Sequence, residues 1–426
     1  MKADIWAGLY HALMDLLGWF GDATRGSCLK LLERLRQLTP DDQEIFALLI
    51  DGFDGGQSSG PSGRQELVFH SREFPDEAYL TLRFKGNRIT ALIPGNRFAK
   101  SLQEELVERA AVALQEDAGS QVVSRYIFAE RPLRGQFEVG DFLRLRPPPP
   151  DTIIGTDLDE WQKVCDPFGR NAEAHLGPPH PILMEIRVRK SSALMLQSLW
   201  MMRELKRCQN ALTLLLATDI KYAHFPSGPL WTALFRGQRM ENHLLTPGFS
   251  DLHGGQHDDF PDTQDPLVGT YDGEDYYGRL WVRDKELLIP KTLDRHLQLM
   301  RALDTEQANK FHRACMWFAQ GVQFRSIETI GIPSFSASIE CLLPRSEETT
   351  KSFDALVERY GKLTADTKPL AKQLYGVRSD LIHGSFAHMS DTGFFSFKND
   401  DDWQTMLIWM LAKRCLIGWL QDPARL

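Results

Sequence analysis

The sequence lacks any close pairing of cysteines. Six cysteines are spread over 426 residues, and no two of them form a C-x-x-C pair. Disulfide-rich secreted domains and structural zinc sites both need closely spaced cysteines, so the spacing disfavours both classes. We therefore predict a cytoplasmic protein with reduced, mostly buried thiols at Cys28, Cys165, Cys208, Cys315, Cys341 and Cys415.

A long uninterrupted apolar run is also missing. A membrane helix needs about 18 consecutive apolar residues, whereas the most hydrophobic long segment, residues 191–218, contains Arg203, Glu204, Lys206 and Arg207. Acidic residues interrupt the apolar pattern of the N-terminus, and no small-residue cleavage site follows it, which disfavours a signal peptide. We predict no membrane span, and a buried helix over residues 191–218.

The chain has no excess of positive charge and no phosphate-binding loop. Its net charge is −8, so only a local basic patch would favour nucleic acid. The Gly55–Gly60 segment lacks the Lys-Ser/Thr pair of a P-loop, and neither a dinucleotide fingerprint nor a Gly-Ser-x-Asp-x-Asp motif occurs. The His253–His257 segment could hold a divalent metal, but loops of this composition are common. We expect no cofactor and no metal.

The chain is predicted to be an α+β protein in three parts. Apolar residues at helical spacing mark 1–50 as an N-terminal helical segment, and a Gly/Ser-rich loop follows it at 51–64. Residues 65–290 are predicted to form a mixed α/β domain with a mainly antiparallel sheet, a helix at 98–117, the helix at 191–218 and a loop at 245–277. Its strands are predicted at 66–70, 78–84, 88–93, 122–128, 135–145 and 182–188.

The third part, residues 295–426, is predicted to be helical throughout. Pro344, Gly361 and Gly384 separate the helical patterns, and the short connections indicate antiparallel neighbours in a bundle. Asp400, Asp401 and Asp402 suit the acidic first turn of the last helix. The helices are predicted at about 293–302, 305–325, 332–343, 350–361, 366–383 and 402–420.

The predicted helix 366–383 carries an arginine in its apolar face. On a helical wheel Arg378 falls about 40° from Leu374, within that face, whereas His383 falls about 180° from Leu374, just before Gly384. A guanidinium cannot lose its charge, so Arg378 must pair with a carboxylate, reach out along its stem, or line an interface that brings an anion. On an ideal helix the side chains of Arg378 and His383 diverge by about 140°. They converge only if the helix is distorted or if two chains face each other.

The residues around this helix end resemble a family signature. The segment Gln373-Leu-Tyr-Gly-Val-Arg-Ser-Asp-Leu-Ile-His-Gly384 is similar to the motif of HEPN domains of the ApeA-like group. In that motif an arginine is followed, several residues later, by a histidine and usually by a glycine. The preceding helix, with Ser338-Ile-Glu-Cys-Leu-Leu343, resembles a helix upstream of the motif in the same group. The resemblance covers the C-terminal helical region.

The resemblance implies an all-α HEPN bundle that dimerises, so that two motifs form a composite cleft. It implies a metal-independent endoribonuclease of an anti-phage, abortive-infection or toxin-type defence system, with Arg378 and His383 as catalytic residues. Ser379, Asp380 and Tyr375 would support them. The expected partners are RNA, with tRNA as one candidate, a second copy of the chain, and a phage-derived trigger. The domain at 65–290 would act as sensor or regulator.

Some residues leave other interpretations open. Active members often carry Asn, His or Asp after the arginine, where this chain has Ser379. The alternative function is therefore an inactive HEPN module that binds RNA or a partner without cutting. Tyr375 suits packing better than catalysis, and Glu340, near the end of the upstream helix, suits a structural ion pair with Arg378.

Overall fold

The fold of the chain was obtained as a computed structural model. The described residues form both α-helices and antiparallel sheets, so the predicted α+β class is confirmed. The structure describes residues 25–50, 57–58, 65–70, 79–85, 88–94, 100–115, 119–129, 132–148, 152–156, 180–216, 230–236, 239–245, 253–271, 286–323, 328–343, 349–363, 368, 371 and 399–425.

Most of the helices carry apolar residues at the helical spacing by which the sequence predicts them. In chain order they are α1 (Arg25–Leu38), α2 (Asp42–Ile50), α3 (Lys100–Leu114), α4 (Leu194–Leu215), α5 (Leu293–Arg301), α6 (Thr305–Gln323), α7 (Glu328–Glu340), α8 (Thr349–Tyr360) and α9 (Asn399–Gln421).

The strands are mostly short and pair mainly in antiparallel fashion. In chain order they are β1 (Gln57–Ser58), β2 (Gln65–His70), β3 (Tyr79–Lys85), β4 (Arg88–Pro94), β5 (Ser120–Ala129), β6 (Phe137–Val139), β7 (Leu143–Arg146), β8 (Thr152–Thr156), β9 (His180–Arg189), β10 (Leu230–Arg236), β11 (Arg239–Leu245), β12 (His253–His257), β13 (Thr270–Tyr271) and β14 (Ile289–Pro290).

Contacts along the chain define two compact units. Unit 1 comprises Met1–Gln121 and Val188–Arg203, and unit 2 comprises Val122–Arg187 and Glu204–Leu426. These units divide the chain at places other than the predicted boundaries. The predicted division into 1–50, 65–290 and 295–426 stays a prediction.

Unit 1 contains an antiparallel meander of β1, β2, β3 and β4, against which α1 packs. An ion pair connects the first two helices to this sheet. Arg36 donates to the carboxylate of Asp42 at 3.0 Å and to the carbonyl oxygen of Ile89 at 2.7 Å. The backbone N–H of Ile89 donates in turn to Asp42 at 2.9 Å. One Arg–Asp pair therefore satisfies both backbone groups of a residue on β4.

A second carboxylate in unit 1 joins α2 to the first part of α4. Glu44 accepts a hydrogen bond from the indole N–H of Trp200 at 2.9 Å and another from Arg203 at 3.2 Å. Its second oxygen accepts from the Thr39 hydroxyl at 2.7 Å. Because Trp200 is also buried among apolar residues of the core, this carboxylate fixes the orientation of a large core side chain.

The main sheet of unit 2 has five strands in the order β12-β5-β9-β7-β6. Register sets its two faces, because residues opposite each other on antiparallel strands point to the same side. Arg144 lies between Glu138 on β6 and Glu185 on β9, whereas Leu143 and Leu145 point the other way and are fully buried. One face of this sheet is therefore apolar and the other is charged.

Smaller sheets complete the β structure described for unit 2. The strands β8, β10 and β11 form an antiparallel sheet, and β13 pairs with β14 in parallel. The segment around Pro266 lies directly against Gly135, whose φ of 109° suits glycine alone. A Cβ at Gly135 would come within 2.9 Å of the backbone nitrogen of Val268, so this position requires glycine for both reasons.

The helices α5 to α9 of unit 2 pack around a common apolar core. Trp419 on α9 is completely buried and stacks on Phe311 of α6, with the ring centroids 6.0 Å apart. The rings of Phe318 and Phe335 meet edge to face between α6 and α7. This close approach depends on Gly321, since a Cβ there would lie 2.7 Å from the Phe335 ring.

Most predicted helices and strands are present where the structure describes them, but several strands were not predicted. The residues of β8, β10 and β11 carried no strand prediction, and β12 and β13 lie within the predicted loop at 245–277. The β12 sequence, His253-Gly-Gly-Gln-His257, has no alternating apolar residues, and it forms a strand by pairing with β5. Its formation depends on a distant partner, which local periodicity does not reveal.

One helix begins earlier than predicted. Helix α7 starts at Glu328 and includes Pro333, whereas the apolar pattern of the sequence predicts a helix over about 332–343. A proline inside a helix removes one backbone N–H donor. The Ser334 hydroxyl next to it donates to the carbonyl oxygen of Ile330 at 2.6 Å, which is the i−4 carbonyl of Ser334 and not the carbonyl that Pro333 leaves without its helical donor.

Candidate functional site

The predicted catalytic residues lie outside the described residues. This holds for Arg378 and His383 and for the supporting residues Tyr375, Ser379 and Asp380. Of the predicted helix 366–383, only Lys368 and Ala371 are described. The structure therefore shows the helices that flank the motif in the chain, and the geometry of the motif stays a prediction.

On the N-terminal side of the motif, the chain is held against α8. Lys368 forms an ion pair with Glu358 at 2.7 Å, and Ala371 is buried. Between these residues and the end of α8, Gly361 donates its backbone N–H to the carbonyl oxygen of Val357 at 2.8 Å and closes the helix. The described residues that precede the motif in the chain are therefore anchored to α8 and to the apolar core.

On the C-terminal side, α9 begins at Asn399, so Asp400, Asp401 and Asp402 fall in its first turn as predicted. Negative charge at this end of a helix interacts favourably with the helix dipole. From Ile408 onward α9 is largely buried against the other helices of unit 2. The motif segment therefore lies in the chain between two helices that pack on each other.

The end of α9 is fastened to α8 by a cluster of polar residues. The hydroxyl of Tyr360 donates to Asp422 at 2.8 Å, and Arg359 binds the same carboxylate. Burial raises the pKa of Tyr360 to about 12, and the hydrogen bond to Asp422 adds to the shift. Hydrogen bonds from Ala424 and Tyr360 lower the pKa of Asp422. This cluster fixes the C-terminus of the helical region and resembles no catalytic arrangement.

The upstream helix of the resemblance, α7, packs against α6 and α9. Glu340 is its last residue and is half-buried. The ion pair predicted between Glu340 and Arg378 involves a residue outside the described part of the chain and stays a prediction. Ser338, two residues earlier, is buried and donates to the carbonyl oxygen of Phe335 at 2.6 Å, so its hydroxyl is occupied within the helix.

Two histidines of the helical region are held neutral. Burial lowers the pKa of His296 to about 4, and the nearby charges of Arg295 and Lys413 lower it further. Burial likewise lowers the pKa of His312 to about 4, with a contribution from Arg207. One nitrogen of the His296 ring forms a hydrogen bond with Gln421 at 2.7 Å. These histidines are core residues, unsuited to proton transfer near neutrality.

The thiols described are also unreactive. Cys208, Cys315 and Cys415 are buried and free, and Cys341 is free and half-buried, which confirms the prediction for these four. Burial raises the pKa of Cys415 to about 12 and raises those of Cys208 and Cys315 as well. A thiol kept protonated is a poor nucleophile and a poor metal ligand.

The sequence did not reveal a second charged region, the arginine face. We use this name for Arg144, Arg146, Glu185 and Arg187 on the charged side of β7 and β9. Glu185 is completely buried and accepts from Arg144 at 2.6 Å and from Arg146 at 3.1 Å. Two guanidiniums therefore share one buried carboxylate. Alternating charges in Leu143–Arg146 and Glu185–Arg187 were the available signal, but alternation alone suggests a solvent-facing side.

A loop between β12 and β13 covers part of this face. The Phe260 ring lies 4.9 Å from the guanidinium carbon of Arg144 and 5.2 Å from that of Arg187. The preceding residue, Asp259, binds Arg187 through its carboxylate, although its side chain is 78% exposed. The hydrogen bond from Arg187 is the main reason why the pKa of Asp259 is lowered.

Within the part of the chain that the structure describes, no three potential ligand residues come together as a metal site. His257, the end of the HGGQH segment considered above, is exposed on β12. In the same described residues, every helix is too short or too polar to cross a membrane.

Comparison with known proteins adds no identification. No family model, no curated protein and no solved structure matches this chain.

Proposed function

We propose that the C-terminal helical region is a HEPN-type, metal-independent endoribonuclease of an anti-phage or toxin-type defence system. The observation that carries this proposal is the sequence motif, in which four residues separate Arg378 from His383, Tyr375 precedes the pair and Gly384 follows it. Packed helices on both sides of the motif in the chain support the proposal, because the family is built as a helical bundle.

In this proposal the substrate supplies its own nucleophile. The ribose 2′-OH attacks the adjacent phosphate, and His383 accepts its proton or donates a proton to the leaving 5′ oxygen. Arg378 donates two hydrogen bonds to the phosphate and stabilises the charge that develops there. The products are a 2′,3′-cyclic phosphate and a 5′-hydroxyl. Ser379, Asp380 and Tyr375 position these groups or the substrate.

We further propose that a complete site needs two chains. The side chains of Arg378 and His383 diverge by about 140° on an ideal helix, so a single motif does not bring them to one phosphate. Two motifs that face each other across a two-fold axis would place the arginine of one chain near the histidine of its partner. The region before residue 291 would sense the trigger and regulate this cleft.

The proposal is tested by incubating purified full-length protein with total RNA and with tRNA. We expect cleavage that yields 2′,3′-cyclic phosphate ends and persists in a metal chelator. Activity should fall by at least about a hundredfold in His383→Ala and in Arg378→Ala, because general acid–base groups and charge-stabilising donors typically contribute factors of this size.

Matched control variants are His257→Ala and Arg134→Ala, which change an exposed histidine and an exposed arginine of the same unit. Both should cleave as the wild type does. Equal activity in the motif variants and the controls would refute the assignment of the site. Mixing Arg378→Ala with His383→Ala chains should restore part of the activity if the cleft is shared, and no restoration would place each site within one chain.

Ser379 favours a second candidate function, an inactive HEPN module that binds RNA without cutting it. In many active members Asn, His or Asp follows the arginine. Under this alternative the wild type binds RNA by gel shift and produces no cyclic phosphate ends, even with the trigger present. A Ser379→Asn variant that gains cleavage would show that the fold and the other residues suffice and that position 379 limits the reaction.

A further inference from the structure

Among the described residues, one hydrogen-bond donor of the arginine face has no acceptor. The side chain of Arg144 is 5% exposed, and its Nη2 atom is buried without a hydrogen-bond partner among the described residues. Glu138 lies 3.7 Å from the other terminal nitrogen, too far for a good hydrogen bond. A buried donor on a charged group is costly to leave unsatisfied, so this position favours an additional acceptor.

The balance of charges inside the arginine face also favours the binding of an additional anion. Two guanidiniums, those of Arg144 and Arg146, share the single carboxylate of Glu185, which is completely buried. Two further carboxylates among the described residues pair with the face, and the side chains of these residues, Glu138 and Asp259, are 48% and 78% exposed. The buried part of the cluster therefore carries one excess positive charge, and an anion would complete it.

The loop that covers the face presents two consecutive groups to it. Asp259 offers a carboxylate to Arg187, and Phe260 lays an aromatic ring near the guanidiniums of both Arg187 and Arg144. An anion followed closely by a flat ring is also what a nucleoside phosphate presents. Arginine suits both groups, because its planar fork binds oxyanions in pairs of hydrogen bonds and its face stacks on aromatic rings.

A ligand could displace the loop where Asp259 binds Arg187. The Asp259 side chain is largely exposed, so its ion pair with Arg187 is screened by solvent and holds the loop weakly. Arg187 itself is held in place on the sheet, because its Nε donates to the carbonyl oxygen of Asp141 at 2.8 Å. The cation is thus fixed while the anion opposite it can be exchanged.

We propose that the arginine face binds a nucleoside phosphate, either free or at the end of a nucleic acid strand. The phosphate replaces the Asp259 carboxylate at Arg187, and the base replaces the Phe260 ring against the guanidiniums. Opening of the loop gives Nη2 of Arg144 access to an acceptor. This site lies on the sheet, and its existence does not depend on the proposed ribonuclease activity.

The test is calorimetric titration of the full-length chain with adenosine 5′-monophosphate at low salt. Asp259→Asn removes the competing charge and should bind the nucleotide about tenfold more tightly, and Arg187→Gln should bind it at least about tenfold more weakly. Arg134→Gln is the matched control, because Arg134 is an exposed arginine of the same unit paired with Glu286 at 3.3 Å. Its affinity should equal that of the wild type.

Two further ligands define the specificity. Inorganic phosphate should bind at least about tenfold more weakly than the nucleotide if the ring contributes, and equal affinity would overturn the proposal. A 5′-phosphorylated DNA oligonucleotide, which lacks the 2′-OH needed for cleavage, should bind at least as well as the free nucleotide. Tighter binding of the oligonucleotide would identify a strand end as the natural ligand, and equal binding would identify the free nucleotide.

Because Asp259 is exposed, the Asp259→Asn variant should fold even if the Arg187→Gln variant does not. The affinity of Asp259→Asn for the nucleotide is therefore sufficient to test the proposal. No tighter binding in this variant than in the wild type would mean that the loop is only docked on the sheet and occupies no ligand site. That result, or absence of nucleotide binding in both proteins, would overturn the proposal.

Discussion

Two regions of unit 2 contain completely buried side chains, which are apolar in one region and charged in the other. In the core of helices α5 to α9 the buried side chains are mainly apolar, such as Phe311 and Trp419, and the Ser334 and Ser338 hydroxyls bond to carbonyls of their own helix. In the arginine face the buried side chains are charged, and Glu185 is as inaccessible as Trp419.

The two regions differ in what burial costs. Removing apolar surface from water stabilises a fold by about 25 cal/mol per Å², without any partner being required. Burying an ion pair roughly breaks even, because desolvation offsets the attraction. The helical core is therefore explained by stability alone. The arginine face is not, and this difference is the reason to look for a ligand there. Arg378, which the sequence predicts in an apolar helix face and which we propose to be catalytic, raises the same question.

The largest effect should follow from Trp419→Ala in the helical core. Trp419 is completely buried and stacked on Phe311, so truncation removes its transfer free energy and leaves a cavity. We expect the free energy of unfolding to fall by about 4 kcal/mol, measured by urea denaturation.

The control for this change is Met316→Ala on α6, where the side chain is among the exposed large apolar residues. It should cost less than about 1 kcal/mol. A loss from Trp419→Ala as small as that of the control would mean that α9 does not form the centre of the core.

A somewhat smaller effect should follow from Glu185→Gln in the arginine face. The amide keeps the volume but leaves the guanidiniums of Arg144 and Arg146 without a buried anion. Breaking a buried ion pair in this way should cost about 3 kcal/mol. Denaturation in urea measures the loss, and added phosphate should recover part of it if an anion can enter the face.

Removing the two arginines and the glutamate of the arginine face together tests whether charge pairing determines its stability. In the variant Arg144→Met, Arg146→Met, Glu185→Leu no buried charge is left unpaired, so stability should return to within about 1 kcal/mol of the wild type. A triple variant that remains as unstable as Glu185→Gln would show that the face contributes stability through its shape and not through charge pairing.

The sequence predicts an element well when residues within that element determine it, and poorly when a distant segment determines it. The spans of α5, α6, α8 and α9 follow from apolar periodicity within each segment, and the structure places them within a few residues. Strands β8, β10 and β12 form because distant segments pair with them, so their own residues gave little indication.

The same distinction applies to the candidate sites. The Arg378–His383 motif was found because its residues are contiguous, and its three-dimensional arrangement lies outside the described residues. The arginine face was missed because Arg144, Glu185 and Phe260 come from three separate segments. Alternation showed that Arg144 and Arg146 share a side of the sheet. It gave no sign that a loop more than a hundred residues further on covers that side.

A further effect distinguishes the helical core by the pH dependence of its stability. The described helical core contains His296 and His312, each with a pKa lowered from 6.5 to about 4, mainly by burial. The unfolded chain therefore binds more protons than the folded chain between these values, and stability falls as the pH drops through this range. Each histidine should cost about 2 kcal/mol between about pH 7 and about pH 5.

Urea denaturation across this range tests the assignment with His312→Leu. One nitrogen of His312 is buried without a partner among the described residues, so the apolar replacement should cost little at neutral pH. The variant should lose about 2 kcal/mol less than the wild type on acidification. The control is Met316→Ala, which removes no titratable group and should leave the slope unchanged. Asp259 and Asp422, whose pKa values are lowered from 3.8, contribute only below this range. If His312→Leu lost as much stability on acidification as the wild type, the folded chain would accept a proton at His312. The helical core would then not bury this histidine as the structure indicates.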